Sequence, residues 1–198
     1  NILALRGDPM KNESSFVPVD GGNEFAIDLI QQIDEMNNGQ YLYEETKNSP
    51  SNFCIGAAGY PEKHFEAMNL ASDLRHLKAK VDAGAEFIVT QLFYDNKKYF
   101  SFVKKCREIG ITVPIIPGLK PITNQRHLTF IPKFFNTNFP EEFSNELEKC
   151  KTNEEIKKVG IEWSIEQSKE LIDAGVPVLH FYTMGKGQSV KEVASNIF

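Results

Sequence analysis

The sequence predicts an α/β fold built on a parallel sheet. Five short apolar runs of strand type alternate with longer segments of helical periodicity. Neighbouring parallel strands need a crossover of a dozen or more residues, and the helical segments supply it. Two closures of the sheet remain open at this point: a doubly wound sheet, which five strands would fit, and a (β/α)8 barrel, which typically takes about 250 residues.

Each predicted strand is an apolar run that stops at glycine, proline or polar residues. In chain order the strands are predicted over Ile2–Leu5, Phe53–Ala58, Phe87–Phe93, Val113–Pro117 and Val178–Tyr182. The helices fill the intervals, and several of them stop just before a glycine. They are predicted over Glu24–Met36, His64–Ala83, Lys97–Ile109, Gln125–Phe135, Glu141–Cys150, Asn153–Ala174 and Ser189–Ile197.

The composition is that of a single globular domain over residues 1–198, with 41% hydrophobic and 25% charged residues. A net charge of -5 and scattered lysines argue against nucleic acid as a partner. No apolar stretch approaches the roughly 18 to 20 residues that span a bilayer. No signal peptide opens the chain, so we expect a cytoplasmic protein without a membrane partner. Because a strand stands at the first residues and no methionine precedes it, we expect that an N-terminal part is missing.

No metal site is expected from the cysteines and histidines. The cysteines are odd in number, widely separated and free of Cys-x-x-Cys pairs. The histidines lack the spacing of metal ligands. These residues are Cys54, Cys106, Cys150, His64, His76, His127 and His180.

Polar residues follow the first strand directly, in the segment Arg6-Gly7-Asp8-Pro9. Glycine lets the backbone turn, and proline fixes the direction in which the chain leaves. The segment therefore places the Asp8 carboxylate where a strand ends, which is where α/β enzymes keep their chemistry. The alternatives are an ordinary turn or a cell-adhesion tripeptide.

The second strand ends in small residues, Gly56 to Gly59, before Tyr60. Small side chains could clear a flat space in which an aromatic ligand such as an isoalloxazine ring lies against the backbone beside Tyr60. Tight packing of a helix on the strand uses the same residues and stays open as the alternative.

The helix that follows carries Asp73, His76 and Lys80 on one stripe, beside an apolar face. An acid there could bind ribose hydroxyls, and the lysine could neutralise a phosphate. A solvated helix flank is the alternative.

On the third strand, Gln91 interrupts an apolar run, and a buried amide without partners would cost roughly 1 to 3 kcal/mol. Backbone groups or a heteroaromatic ligand would have to satisfy it.

Six motifs, taken in order, resemble methylenetetrahydrofolate reductase. They are Leu5-Arg6-Gly7-Asp8, Ala57-Ala58-Gly59-Tyr60-Pro61-Glu62-Lys63-His64, Asp73-Leu74-Arg75-His76-Leu77-Lys78-Ala79-Lys80-Val81-Asp82-Ala83-Gly84-Ala85, Thr90-Gln91-Leu92-Phe93, Ile116-Pro117-Gly118 and His180-Phe181-Tyr182-Thr183. Each motif is short, but their order and spacing extend over nearly the whole chain, and this makes the resemblance specific.

The resemblance implies a (β/α)8 TIM barrel that binds FAD. Such an enzyme takes hydride from NADH or NADPH and reduces 5,10-methylenetetrahydrofolate to 5-methyltetrahydrofolate, a methyl donor for methionine synthesis. It further implies that this chain is the C-terminal part of the barrel, about strands 4 to 8 with their helices, in a homotetramer. The general acid of the family, a glutamate on the first strand, would then lie upstream of Asn1.

The resemblance also implies the site residues. The flavin would be bound by Leu5, Arg6, Gly7, Asp8, Phe25, Ala26, Ala58, Tyr60, His64, Asp73, His76 and Lys80. The substrate would be bound by Asp8, Gln91, His127, Ile131 and Lys186. Asp8 and Gln91 would be the catalytic residues: both would hold the pterin, and the charge of Asp8 would favour electron delivery to folate.

Three positions depart from the bacterial pattern. His127 and Ile131 stand where the bacterial members have Gln and Phe, and Lys186 stands where they have Arg. Two other interpretations stay open: another FAD-binding barrel oxidoreductase, similar to proline dehydrogenase, and a catalytically silent fragment that acts as an interaction module.

Overall fold

The computed structural model describes residues 1–10, 13, 15–42 and 49–198. Strands and helices alternate as predicted. The strands are β1 (Ile2–Ala4), β2 (Ile55–Gly59), β3 (Phe87–Leu92), β4 (Ile115–Leu119) and β5 (His180–Phe181). The helices are α1 (Ala26–Asn37), α2 (Leu70–Asp82), α3 (Asn96–Glu108), α4 (Gln125–Phe135), α5 (Glu141–Lys149), α6 (Asn153–Asp173) and α7 (Gln188–Ala194).

The five strands form one sheet in the order β1-β2-β3-β4-β5, and every neighbouring pair is parallel. A doubly wound sheet reverses its strand order at a switch point, whereas this order runs in one direction only. The described chain is therefore a half-barrel, consistent with part of a (β/α)8 barrel, and the doubly wound alternative is wrong.

Alternate strand residues face opposite sides of the sheet. The outer side packs against the helices: Ile55 and Ala57 of β2 join Ile30 and Ile33 of α1 in one apolar cluster. A second cluster joins β3 and β4 to α2, α3 and α6, and a third lies among α4, α5 and α6. The other residues of each strand point to the inner side of the half-barrel.

The largest difference between predicted and observed helix boundaries is at the start of α2. Helix α2 begins at Leu70, not at His64 as its apolar periodicity suggested. Asn69 caps the helix: its side chain accepts from the Ser72 N–H at 2.9 Å, and its own N–H donates to Ser72 Oγ at 3.2 Å. This reciprocal cap fixes the helix start, so residues 64–69 belong to the loop after β2.

Helix α6 approaches the loop after β4 closely at Gly160. A Cβ atom at this position would lie 2.0 Å from the carbonyl oxygen of Ile122. A backbone carbonyl cannot swing aside as a flexible side chain can. The glycine therefore sets the distance between α6 and the loop that leads from β4 to α4.

We expect Gly160→Ala to destabilise the protein. Helix propensity alone would stabilise it by up to about 1 kcal/mol, but overpacking against the Ile122 carbonyl costs typically about 1 to 3 kcal/mol. The midpoint of urea unfolding of the intact protein should therefore fall. Gly187→Ala is the control, because nothing lies within 4 Å of a Cβ there. An unchanged or higher midpoint for Gly160→Ala would contradict this packing.

Candidate functional site

The register of the sheet brings the predicted polar residues to one edge. Ala4 pairs with Ala57, and Ala57 pairs with Ile88. Counting three residues onward from Ala4, Ala57 and Ile88 gives Gly7, Tyr60 and Gln91, which therefore lie at about the same height along the strands. Asp8 lies one residue beyond that height. All of them follow the carboxyl ends of parallel strands, where α/β proteins bind their ligands.

The turn after β1 is held by contacts of Arg6. Its Nη2 donates to Glu66 Oε2 at 2.7 Å, and its guanidinium lies 5.6 Å from the centroid of the Phe16 ring. A Cβ on Gly7 would lie 3.0 Å from the same ring. These contacts fix the turn while the Asp8 side chain stays exposed to solvent.

Tyr60 and His64 form an aromatic wall after β2. Their ring centroids are 4.6 Å apart at an interplanar angle of 76°. Burial, followed by the nearby carboxylate of Asp73, raises the pKa of Tyr60 to about 12, and Asp8 contributes in the same direction. The phenol is therefore a neutral hydrogen-bond donor at physiological pH. Burial lowers the pKa of His64, which keeps its imidazole neutral as well.

Lys80 reaches the sheet where β1 and β2 separate. Cys54 O accepts from Ile2 N–H, whereas Ile55 O accepts from Glu86 N–H, so even-numbered carbonyls of this strand face β1. Pairing with β1 ends at Ala57, which leaves the Ala58 carbonyl without its ladder partner. The Lys80 ammonium donates to that carbonyl at 2.9 Å.

The charge state of Lys80 reflects two opposing effects. Burial lowers its pKa, and the carboxylate of Asp73 partly opposes that shift. Asp73 also accepts the His64 N–H through Oδ2 at 2.9 Å. The helix stripe thus contributes Asp73 and Lys80 to the loop after β2, whereas the third predicted member, His76, is exposed.

The glycines of β2 serve packing. A Cβ on Gly56 would lie 2.3 Å from the Phe87 ring, and one on Gly59 would lie 2.8 Å from Ile88. Their space is filled by neighbouring side chains, so the interpretation of these glycines as a cleared ligand surface is wrong. Ala58, between them on the inner side, remains half-buried beside Tyr60.

Gln91 is half-buried at the end of β3. Its Oε1 accepts from the Leu92 N–H at 2.9 Å. Its Nε2 group makes no hydrogen bond to another part of the described chain. One half of the amide is therefore satisfied by the neighbouring backbone N–H, and the donor half has no partner among the described residues.

The remaining predicted residues lie in different surroundings. His127 Nδ1 accepts from the Thr123 N–H at 3.2 Å, which ties the ring to the start of α4. Ile131 is fully buried in the cluster that α4, α5 and α6 form with Leu92, the last residue of β3. Lys186 is exposed in the loop before α7, and the exposed Phe25 precedes the half-buried Ala26 at the start of α1.

Glu62 links the loop after β2 to distant parts of the chain, a role that the sequence analysis does not predict. Its Oε1 accepts from Thr137 Oγ1 at 2.6 Å and from the Asn138 N–H at 3.1 Å. Its Oε2 accepts from Asn138 Nδ2 at 2.8 Å and pairs with Lys98. The carboxylate thereby joins the loop after β2 to α3 and to the segment between α4 and α5. No local pattern reveals this role, because Thr137 and Asn138 are 75 and 76 residues away.

We expect Glu62→Gln to destabilise the protein by about 2 to 3 kcal/mol, because an amide nitrogen would replace an acceptor that faces only donors. The effect should appear in the urea midpoint and in faster hydrogen exchange of the loop after β2. Glu146→Gln is the matched control, since the Glu146 side chain is 56% exposed and forms a surface ion pair with Lys149. Equal midpoints for the two variants would show that Glu62 does not hold the loop.

The described residues form neither a metal site nor a membrane-spanning helix. No group of three or more His, Cys, Asp or Glu side chains is placed there to hold a metal ion. In the same residues, no helix combines the length and the apolarity needed to cross a bilayer.

The described chain is thus a parallel α/β half-barrel with a polar site at its carboxyl edge. Residues 1–197 match the family model of methylenetetrahydrofolate reductase. A Zea mays protein named methylenetetrahydrofolate reductase (NADH) 1 is 40% identical over 207 residues, covering 100% of this chain and 33% of the maize protein. The Salmonella typhimurium 5,10-methylenetetrahydrofolate reductase is 34% identical, covering 95% of this chain and 57% of the bacterial protein.

The chain belongs to the methylenetetrahydrofolate reductase family, and the resemblance of its motifs is confirmed. It spans about a third of the length of the plant relatives. Among solved structures, a Clostridium thermocellum protein described as binding two copies of 5-methyl-5,6,7,8-tetrahydrofolic acid aligns with a TM-score of 0.48 and 18% identity, over 72% of this chain and 52% of that one.

Proposed function

We propose that the intact protein uses NAD(P)H and FAD to reduce 5,10-methylenetetrahydrofolate to 5-methyltetrahydrofolate. Membership of the family supports the reaction, and the meeting of Asp8, Tyr60 and Gln91 at one edge supports the site. In this proposal, residues 1–198 are the C-terminal part of a (β/α)8 barrel, about strands 4 to 8. The enzyme would be a cytoplasmic homotetramer that supplies methyl groups for methionine synthesis.

The residues around the end of β2 fit a flavin nucleotide. The half-buried Ala58 and the ring of Tyr60 offer an apolar surface on the inner side. The Lys80 ammonium uses one bond for the Ala58 carbonyl and keeps donors for a phosphate. The second oxygen of Asp73 can accept from ribityl hydroxyls, because only Oδ2 is engaged by His64. Further flavin contacts would come from the turn Leu5 to Asp8, from Phe25 and Ala26, and from the His64 ring.

The bound flavin would supply the hydride transfer between NAD(P)H and folate. The protein binds, orients and polarises the reactants. Gln91 has free amide donors for acceptor atoms of a pterin, and Asp8 offers acceptors for its N–H groups. The negative charge of Asp8 also stabilises positive charge that develops on the substrate. Lys186, and His127 in the first turn of α4, would border the rest of the substrate.

The two half-reactions test this proposal. The intact protein should bind FAD and turn yellow, NADH should bleach it, and methylenetetrahydrofolate should restore the colour. Gln91→Ala should slow the restoring step by roughly 10- to 100-fold, because it removes hydrogen bonds worth about 1 to 3 kcal/mol. The rate of bleaching by NADH should change little.

Gln31→Ala is the control for this substitution, since Gln31 is exposed on α1. It should leave both half-reactions unchanged. A colourless protein that cannot be reconstituted with FAD would contradict the proposal and favour the non-catalytic interaction module. A Gln91→Ala variant with normal folate kinetics would remove Gln91 from the site.

A further inference from the structure

Lys120 is a buried lysine that the proposed reaction does not yet use. It follows the last residue of β4, and only 6% of its surface is exposed. Ile115 and Leu119 of this strand pack against the outer helices. Gly118 points the other way, towards the Tyr182 ring, and alternation places Lys120 on that same inner side.

The ammonium of Lys120 has few partners. It makes one long hydrogen bond, to the Tyr182 carbonyl at 3.5 Å. In the part of the chain that the structure describes, no carboxylate lies within 4.0 Å of it. A buried charge without a counter-ion is costly, because the protein does not replace the water that it loses. Burial accordingly lowers the pKa of Lys120.

The surroundings of Lys120 place this unpaired cation at the candidate site. Strand β4 is the direct neighbour of β3, which carries Gln91 at its carboxyl end. The charge of Lys120 is also felt at His127: burial lowers the His127 pKa to about 4, with Lys120 and then Arg126 acting in the same direction. The imidazole is therefore neutral and adds no second positive charge beside Lys120.

We infer that Lys120 binds an anionic oxygen group of a ligand at the carboxyl edge, either a carboxylate or a phosphate. The inference rests on the proposed function only for the identity of that ligand. Of the two proposed reactants, the folate carries carboxylates on its glutamate and NAD(P)H carries phosphates. The anion would supply the counter-charge that the described chain lacks and would accept the free donors of the ammonium.

Binding to the intact holoenzyme separates these two sources. Calorimetric titrations would compare 5-methyltetrahydrofolate, its uncharged glutamate diamide and NAD⁺, with wild type, Lys120→Met and Lys120→Arg. NAD⁺ carries the phosphates of NADH but cannot reduce the bound flavin. Loss of one charge-assisted contact should weaken binding roughly 10- to 100-fold in Lys120→Met. A loss for the folate but not for its diamide assigns the carboxylate, and a loss for NAD⁺ assigns a phosphate. Lys120→Arg should retain most of the affinity.

A lysine that only anchors the Tyr182 carbonyl would give a different pattern. Lys120→Met would then weaken the folate and its diamide equally, or leave every ligand unaffected, and either result would overturn the inference. Lys133→Met is the matched control, because Lys133 is an exposed lysine on α4. Its binding constants should equal those of the wild type.

A second measurement does not need the proposed reaction. Inorganic phosphate should shift the NMR signal of the His127 imidazole saturably in the wild type, and should not do so in Lys120→Met. In addition, the His127 pKa should rise in Lys120→Met, since a nearby positive charge is removed. If neither folate nor NADH binds, the proposed function fails while the phosphate response still tests Lys120. Absence of any saturable response in the wild type would overturn the anion site.

Discussion

All strands of the described sheet run in one direction and follow one another in chain order, and the candidate site depends on that constraint. Parallel order sends every strand end to the same edge, so residues far apart in sequence meet there without a special loop. Asp8, Tyr60 and Gln91 reach nearly the same level because the register from β1 to β3 is continuous at the paired residues. The helices pack on the outer side of the sheet, so the candidate site lies at the carboxyl ends of the strands.

Two lysines lie at strand ends on this edge, and each donates to a backbone carbonyl. Where β1 parts from β2, the carbonyl of Ala58 lacks a strand partner, and Lys80 supplies the missing donor. After β4, Lys120 donates a long hydrogen bond to the Tyr182 carbonyl and has no other partner among the described residues. A backbone carbonyl that loses its strand partner at the carboxyl edge still needs a hydrogen-bond donor, and a lysine side chain can supply it. A lysine in that position also lies close to any anionic ligand that binds at the edge.

The sequence predicted most of the architecture, because alternation of strands and helices depends on local periodicity. It also predicted the polar edge, since Asp8 and Gln91 stand beside strand ends that a pattern can locate. Prediction from the sequence failed where contacts between residues far apart in the chain determine the structure. The glycines of β2 accommodate Phe87 and Ile88, which no local motif reveals. Helix α2 begins at Leu70 because Asn69 and Ser72 cap each other, a signal that apolar periodicity hides. The roles of Glu62 and Lys120 arise only from tertiary neighbours.

A crystal structure of the intact protein with FAD and 5-methyltetrahydrofolate tests the central claim most directly. The account predicts that the flavin ring contacts Ala58 and Tyr60, and that the pterin lies within hydrogen-bond distance of both Asp8 and Gln91. A flavin bound in the outer helical layer, or a pterin that touches neither of these two side chains, would contradict it.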